Sequence, residues 1–187
     1  LKEGSPYYKA GRYAVGKDGR KEVVMLEESP LGLLTDIGDF SRGMVWRKEE
    51  TGSRDIRYDL ERSKFSRVEK KANTLTIGLA NAENKEMAVE FVVEDHNIAF
   101  RYYLPKQKET GSVRVLREAT GFRFPAKTTT FLTPQSDAMI GWKRTKPSYE
   151  EEYKADAPMD EPSQYGHGYT FPGLFHVGED GWVLVSE

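Results

Sequence analysis

The chain has 187 residues, 37% of them hydrophobic and 12% aromatic, which suffices for a sizeable core and fits one large domain more easily than two. Lysine and arginine number 28 against 30 aspartates and glutamates, a net charge of −2 with the signs interleaved, so no electrostatic footprint for nucleic acid or an anionic membrane is present. The absence of cysteine removes disulfides, thiolate metal sites and thiol nucleophiles, and no apolar run approaches the ~20 residues of a bilayer span.

Strand signals dominate from the start. Lys9–Val15 and Glu22–Leu26 flank Gly16-Lys17-Asp18-Gly19-Arg20, where Asp-Gly supplies the positive φ angles of a hairpin turn. Leu31–Leu34 reads as a further short strand. Arg42–Arg62 is charged, bears a glycine and Trp46, and reads as an irregular segment. Thr74–Leu79 alternates with period two, which puts Leu75, Ile77 and Leu79 on one face. Glu86–Glu94 follows, and Asp95-His96-Asn97 turns the chain into Ile98–Leu104, with Ile98, Phe100 and Tyr102 sharing a face. Pro105 ends that strand and Val113–Ala119 begins the next.

Lys143–Gly168 breaks the rhythm again, with Pro147, Pro158 and Pro162, an acidic run at Glu150-Glu151-Glu152, and Tyr149, Tyr153 and Tyr165. A long insertion of this kind is usually functional or disordered, and its tyrosines favour an ordered loop. The last stretch, Tyr169–Glu187, reads as a strand, a tight Glu179-Asp180-Gly181 turn and a second strand running to a terminal carboxylate. Such a strand needs a partner for its backbone and for Val183 and Val185, so the chain is expected to be a piece of a larger protein. No window carries convincing helical spacing. Strands roughly every 10–12 residues joined by turns predict an all-β, antiparallel sandwich.

Candidate chemistry is sparse. Glycoside hydrolysis needs two carboxyl groups about 5 to 9.5 Å apart across the scissile bond. Sequence neighbours such as Glu27-Glu28, Glu49-Glu50 or Glu150-Glu151-Glu152 do not form such a pair, because strand neighbours point to opposite faces and charge runs in loops are solvated. His96, His167 and His176 show no metal-ligand spacing. His167, in Tyr165-Gly166-His167-Gly168, is the most suggestive, since flanking glycines let a ligand approach the backbone, although a structural role in the loop is the commoner reading of such a residue. Trp46 and Trp142 sit in the two irregular regions, where aromatic platforms for sugar rings would lie, and Trp182, in a strand, reads as core; core or inter-domain packing is the favoured reading for all three. Tyr165, His167 and Trp142 are therefore the candidate substrate-binding residues. Val183, Val185 and Glu187 share one strand face, Trp182, Leu184 and Ser186 the other, so this strand is apolar on both faces until its polar end. Glu187 alone does not hold calcium, which takes 6–8 oxygens.

Four segments in order carry a family resemblance: Ser29-Pro30-Leu31-Gly32-Leu33; Ile98-Ala99-Phe100-Arg101-Tyr102; Leu116–Phe122 with Phe124-Pro125; and Tyr169–Phe175 through Gly181–Glu187. Together they resemble the N-terminal domain of glycoside hydrolase family 97, from about Ser29 to the end, with Arg42–Lys71 matching least well. The resemblance implies a β-super-sandwich of the galactose mutarotase type, incomplete at its C-terminal end. A catalytic (β/α)8 barrel and a small C-terminal β domain would follow, both outside this chain. It implies exo-acting α-glucosidase or α-galactosidase activity, oligosaccharide or α-glycoside substrates, a periplasmic setting and a calcium ion near the substrate. The family's N-terminal glutamate ligand to that calcium matches Glu187. The catalytic carboxylates belong to the barrel, so none is expected here, and inverting and retaining members both occur. A non-catalytic carbohydrate-binding or structural sandwich is the alternative. A complete mutarotase-like epimerase, which needs its own acid/base pair, is the weaker third.

Overall fold

A computed structural model describes residues 1–17, 19–106, 111–136 and 152–187. Asp18 of the first turn, Trp142, Pro147, Tyr149, Glu150 and Glu151 lie outside the described residues. Within them the fold is all-β, thirteen strands and one short 3-10 turn, and the strand ladders are antiparallel. The chain forms two compact units, Leu1–Tyr8 with Pro30–Gly121 and Lys9–Ser29 with Phe122–Glu187. The expected first hairpin is β1 (Tyr7–Gly16) and β2 (Gly19–Pro30), almost wholly in the second unit.

The first unit holds two sheets. One, in the order β4-β3-β9, joins β3 (Leu33–Thr35), β4 (Gly38–Asp39) and β9 (Val115–Glu118). The other, in the order β5-β6-β7-β8, joins β5 (Val45–Asp59), β6 (Arg67–Ala80), β7 (Glu86–Val93) and β8 (Ile98–Tyr103). Period-two alternation places Leu79, Met87 and Val89 on the inner face of the larger sheet. They bury against Leu31, Leu33, Phe40 and Met44, with Ile77, Phe91, Phe100 and Tyr102 packed around them. Each large side chain buried there contributes roughly 1.5–3 kcal/mol relative to exposure. Ile98, on the same face as Phe100 and Tyr102, stays exposed at the strand's start.

Tyr102 shows how polar groups enter this core at little cost. Its hydroxyl accepts a hydrogen bond from the Gly32 N–H at 2.9 Å and lies 2.6 Å from the Thr120 hydroxyl. Burial pushes its ionisation up, and the two hydrogen bonds offset only part of that. Gly32 has φ 143°, and a Cβ there would come within 2.6 Å of the Ser41 Cα, so only glycine permits the approach.

The segment Arg42–Arg62 is not irregular. It contains β5, the longest strand, paired with β6 from Val45↔Ala80 to Asp59↔Arg67 with a bulge between Trp46 and Lys48. Because β5 is an edge strand exposed along almost its whole length, no alternation of apolar and polar residues marks it. β6 pairs with β7 only from Asn73 to Ala80, so Arg54–Asp59 and Arg67–Ala72 continue as a two-stranded ribbon.

The second unit is built on a sheet ordered β11-β10-β12-β13, with β10 (Thr128–Phe131), β11 (Ala157–Pro158), β12 (Gly173–Val177) and β13 (Trp182–Val185). Its inner face buries Thr128, Thr130, Val177 and Val185, and Phe175 stacks on Phe124 with ring centroids 4.0 Å apart. Met25 and Leu26 of β2 are buried in the same unit, and the Glu27 N–H donates to the Arg123 carbonyl at 2.7 Å. The strand expected to run to Glu187 ends at Val185, whose partner is Gly173. Pro172, just before Gly173, has no N–H with which to carry the ladder further.

Candidate functional site

The β12–β13 hairpin sets the geometry around the chain's last residues. Val177 leads into the 3-10 turn Gly178–Asp180, and the Val177 N–H donates to the Gly181 carbonyl at 2.8 Å. Asp180 fixes the turn from outside. Arg12 donates Nε and Nη2 to its carbonyl oxygen at 3.0 and 2.6 Å, and Lys127 pairs with its carboxylate. The hydrogen bond from Lys127 holds the Asp180 carboxyl below its usual value against slight desolvation, with further Coulombic help from Lys127, Arg12 and Lys21. A shallow basin of about 680 Å³ lies beside this turn, walled by residues of both signs that include Lys9, Glu27, Arg123 and Asp180.

The outer face of the same sheet carries a row of rings. His176 and Trp182 are direct cross-strand partners, and their rings stack at 4.1 Å with 8° between planes. Trp182 also meets Phe131 at 5.2 Å, and Phe131 meets Tyr153 at 6.4 Å. Asp156 anchors the border, accepting from the Thr129 hydroxyl at 2.8 Å and lying 3.4 Å from His176 Nδ1. Trp182 is 53% exposed, so the expectation that it lies in the core is corrected. Val183 and Val185 take the inner face, which turns Trp182 and Leu184 outward. The sequence did carry a signal, since a strand apolar on both faces marks a sheet covered on both sides.

Glu187 is exposed, two residues past the end of β13. Among the described residues there is no cluster of three or more histidine, aspartate or glutamate side chains able to hold a metal. These residues alone therefore do not fit a calcium site, and Glu187 is available only as one ligand among others supplied elsewhere. Tyr165 and His167 share one turn, in which Gly166 and Gly168 take φ 75° and 86° and the Ser163 hydroxyl donates to the Gly168 carbonyl at 2.7 Å. His167 is exposed and Tyr165 half-buried, with the Gln164 amide donating to its hydroxyl at 2.9 Å. Neither residue lines the basin, and Trp142 is outside the described residues.

The carboxylate neighbours also have simple surroundings. Glu27 lies 3.2 Å from Arg123, while Glu49 and Glu50 sit on opposite faces of β5, opposite Ile77 and Thr76. His96 occupies the bend between β7 and β8, where the Glu94 N–H donates to the Asn97 carbonyl at 2.8 Å.

Comparison with known proteins gives one family and several solved structures. The family described as Glycosyl-hydrolase 97 N-terminal matches residues 7–187. A crystal structure of a beta-arabinopyranosidase superposes with TM-score 0.83 at 53% identity, covering 96% of this chain and 30% of that one. A Glycoside Hydrolase Family 97 enzyme from Pseudoalteromonas sp. strain K8, in its E480Q form with panose, superposes with TM-score 0.71 at 18% identity. The match covers 94% of this chain and 24% of that one, and the acarbose complex of that enzyme gives the same values. The chain thus spans less than a third of each of these structures. No curated protein matches it.

Proposed function

The chain belongs to the Glycosyl-hydrolase 97 N-terminal family, and from that premise we propose that it is the N-terminal domain of an exo-acting glycosidase. In this reading the domain packs on the catalytic part of the same polypeptide and lends it one calcium ligand, Glu187. The observation that carries the reading is the 53% identity with a beta-arabinopyranosidase over 96% of the chain.

The same observation narrows the substrate. A β-L-arabinopyranoside has the ring stereochemistry of an α-D-galactopyranoside without the C6 hydroxymethyl group. The proposed substrates are therefore terminal arabinopyranosides, with α-galactosides as the sterically larger relatives. An α-glucoside reading has less support, since the panose and acarbose complexes come from an enzyme only 18% identical. Hydrolysis itself requires a pair of carboxyl groups across the glycosidic bond, and in this reading both belong to the catalytic part.

A panel of chromogenic pyranosides presented to the full-length protein tests this. Fastest turnover is expected on the β-L-arabinopyranoside, then on the α-D-galactoside. Preference for an α-D-glucoside, or no hydrolysis of any member, overturns the assignment.

A further inference from the structure

The two four-stranded sheets of this chain present very different outer faces. That of β5-β6-β7-β8 is what water requires: Arg54 and Arg101 both pair with Glu90, the latter at 2.7 Å, and Lys70 pairs with Glu94 at 2.7 Å. The outer face of β11-β10-β12-β13 is the opposite. Its cross-strand rows read Thr129–His176–Trp182 and Phe131–Leu174–Leu184, with no lysine, arginine, aspartate or glutamate among the six. This happens in a chain of which 31% is charged. Trp182 is 53%, Leu184 64% and the adjoining Tyr153 59% exposed.

Enrichment in aromatics and depletion of charge mark the centre of a protein–protein interface rather than a solvated sheet. A sugar platform would need hydrogen-bonding side chains ringing the indole. Here the indole's ring neighbours are His176, stacked flat on it, and Phe131, the adjacent row adds two leucines, and the polar side chains at the border, Thr129 and Asp156, are already bonded to each other. Among the described residues β13 is also the sheet's free edge, so backbone as well as side chains is left uncovered.

From these features we infer that the outer face of β10-β12-β13, centred on Trp182 and Leu184, is the surface on which the rest of the same polypeptide docks. The occupant follows from the 53%-identical relative, whose larger part lies outside the 30% that this chain matches. That relative therefore holds a body of protein large enough to cover such a face. The inference rests on the proposed two-part glycosidase and specifies which surface joins the parts.

Hydroxyl-radical footprinting of the full-length protein tests it, with each residue normalised to its own rate in the denatured protein. Trp182 and Leu184 are expected to be modified several-fold more slowly than Trp46 and Leu116, which have similar exposure in this chain at 48% and 55%. The protection should be independent of protein concentration. Equal modification of the two sets overturns the inference. Protection that appears only at high concentration assigns the face to a second copy, and protection that appears only with added oligosaccharide assigns it to sugar; both overturn it too. Hydrolysis of the pyranoside panel is read on the same sample, so loss of the glycosidase reading is seen separately from loss of the docking face.

Discussion

His176 and Trp182 face each other directly across the β12–β13 ladder, their rings 4.1 Å apart and nearly parallel. The stack joins β13, the sheet's edge among the described residues, to its neighbour through side chains as well as backbone. Aromatic pairs of this kind add about 0.5–1.5 kcal/mol beyond the area they bury. A double-mutant cycle of His176→Ala and Trp182→Ala, followed by denaturant unfolding, should return a coupling near 1 kcal/mol. Strict additivity of the two substitutions would show that the stack contributes nothing.

The Asp180 turn should respond to acid. Its folded carboxyl titrates below the ordinary value of 3.8, chiefly through the hydrogen bond from Lys127. A depressed carboxyl stabilises the fold above the unfolded value and loses that contribution as pH falls through the folded one. The expected loosening of the turn therefore sets in as pH falls towards 3.8 and runs to completion below it, through the lower folded value. In an NMR titration of Asp180, Lys127→Met should move the carboxyl midpoint upward. An unmoved midpoint would remove Lys127 as the cause.

Thr128 offers a prediction of opposite sign. It is buried on the inner face of β10, and its hydroxyl has no hydrogen-bond partner among the described residues. An unsatisfied buried hydroxyl costs about 1–3 kcal/mol. Thr128→Val keeps the branched shape and removes the orphan, so the variant should be more stable by roughly 1 kcal/mol. Urea midpoints compare the two directly, and a lower midpoint for the variant would mean that the hydroxyl is satisfied in solution.

In the proposed enzyme, Glu187→Gln removes one anionic ligand. Because calcium affinity follows the number of charged ligands, the variant should bind calcium on the order of tenfold or more weakly and turn over more slowly. A chelator titration of activity reads both effects. Identical curves for the variant and the parent would sink the role given to Glu187.

Most strands were legible in the sequence because half-buried strands alternate. Glu86–Glu94 gives β7 and Ile98–Leu104 gives β8, each within one residue, while Thr74–Leu79 catches only the C-terminal half of β6, whose exposed first half from Arg67 shows no alternation. β5 was hidden because it buries neither face and so imprints no alternation, β4 and β11 because two residues show no period, and β10 because its four residues are three threonines and a phenylalanine. The turn holding Tyr165 and His167 was visible through its glycines, whereas Trp182–Val185 is apolar at every position, so alternation did not tell whether Val183 or Trp182 points outward. Its orientation depends on register with His176, a partner six residues away on another strand.

The ribbon of Arg54–Asp59 and Arg67–Ala72 has one further consequence. Where β7 joins at Asn73, each rung is shared among three strands; beyond it, each rung pairs two strands only, and past the buried Ala72 the side chains are mostly exposed. Two strands alone are marginal in water. The chain therefore melts along a gradient rather than as one body. Opening starts at the Leu60–Ser66 tip and travels inward like a frayed cord, and it is arrested where the third strand takes hold.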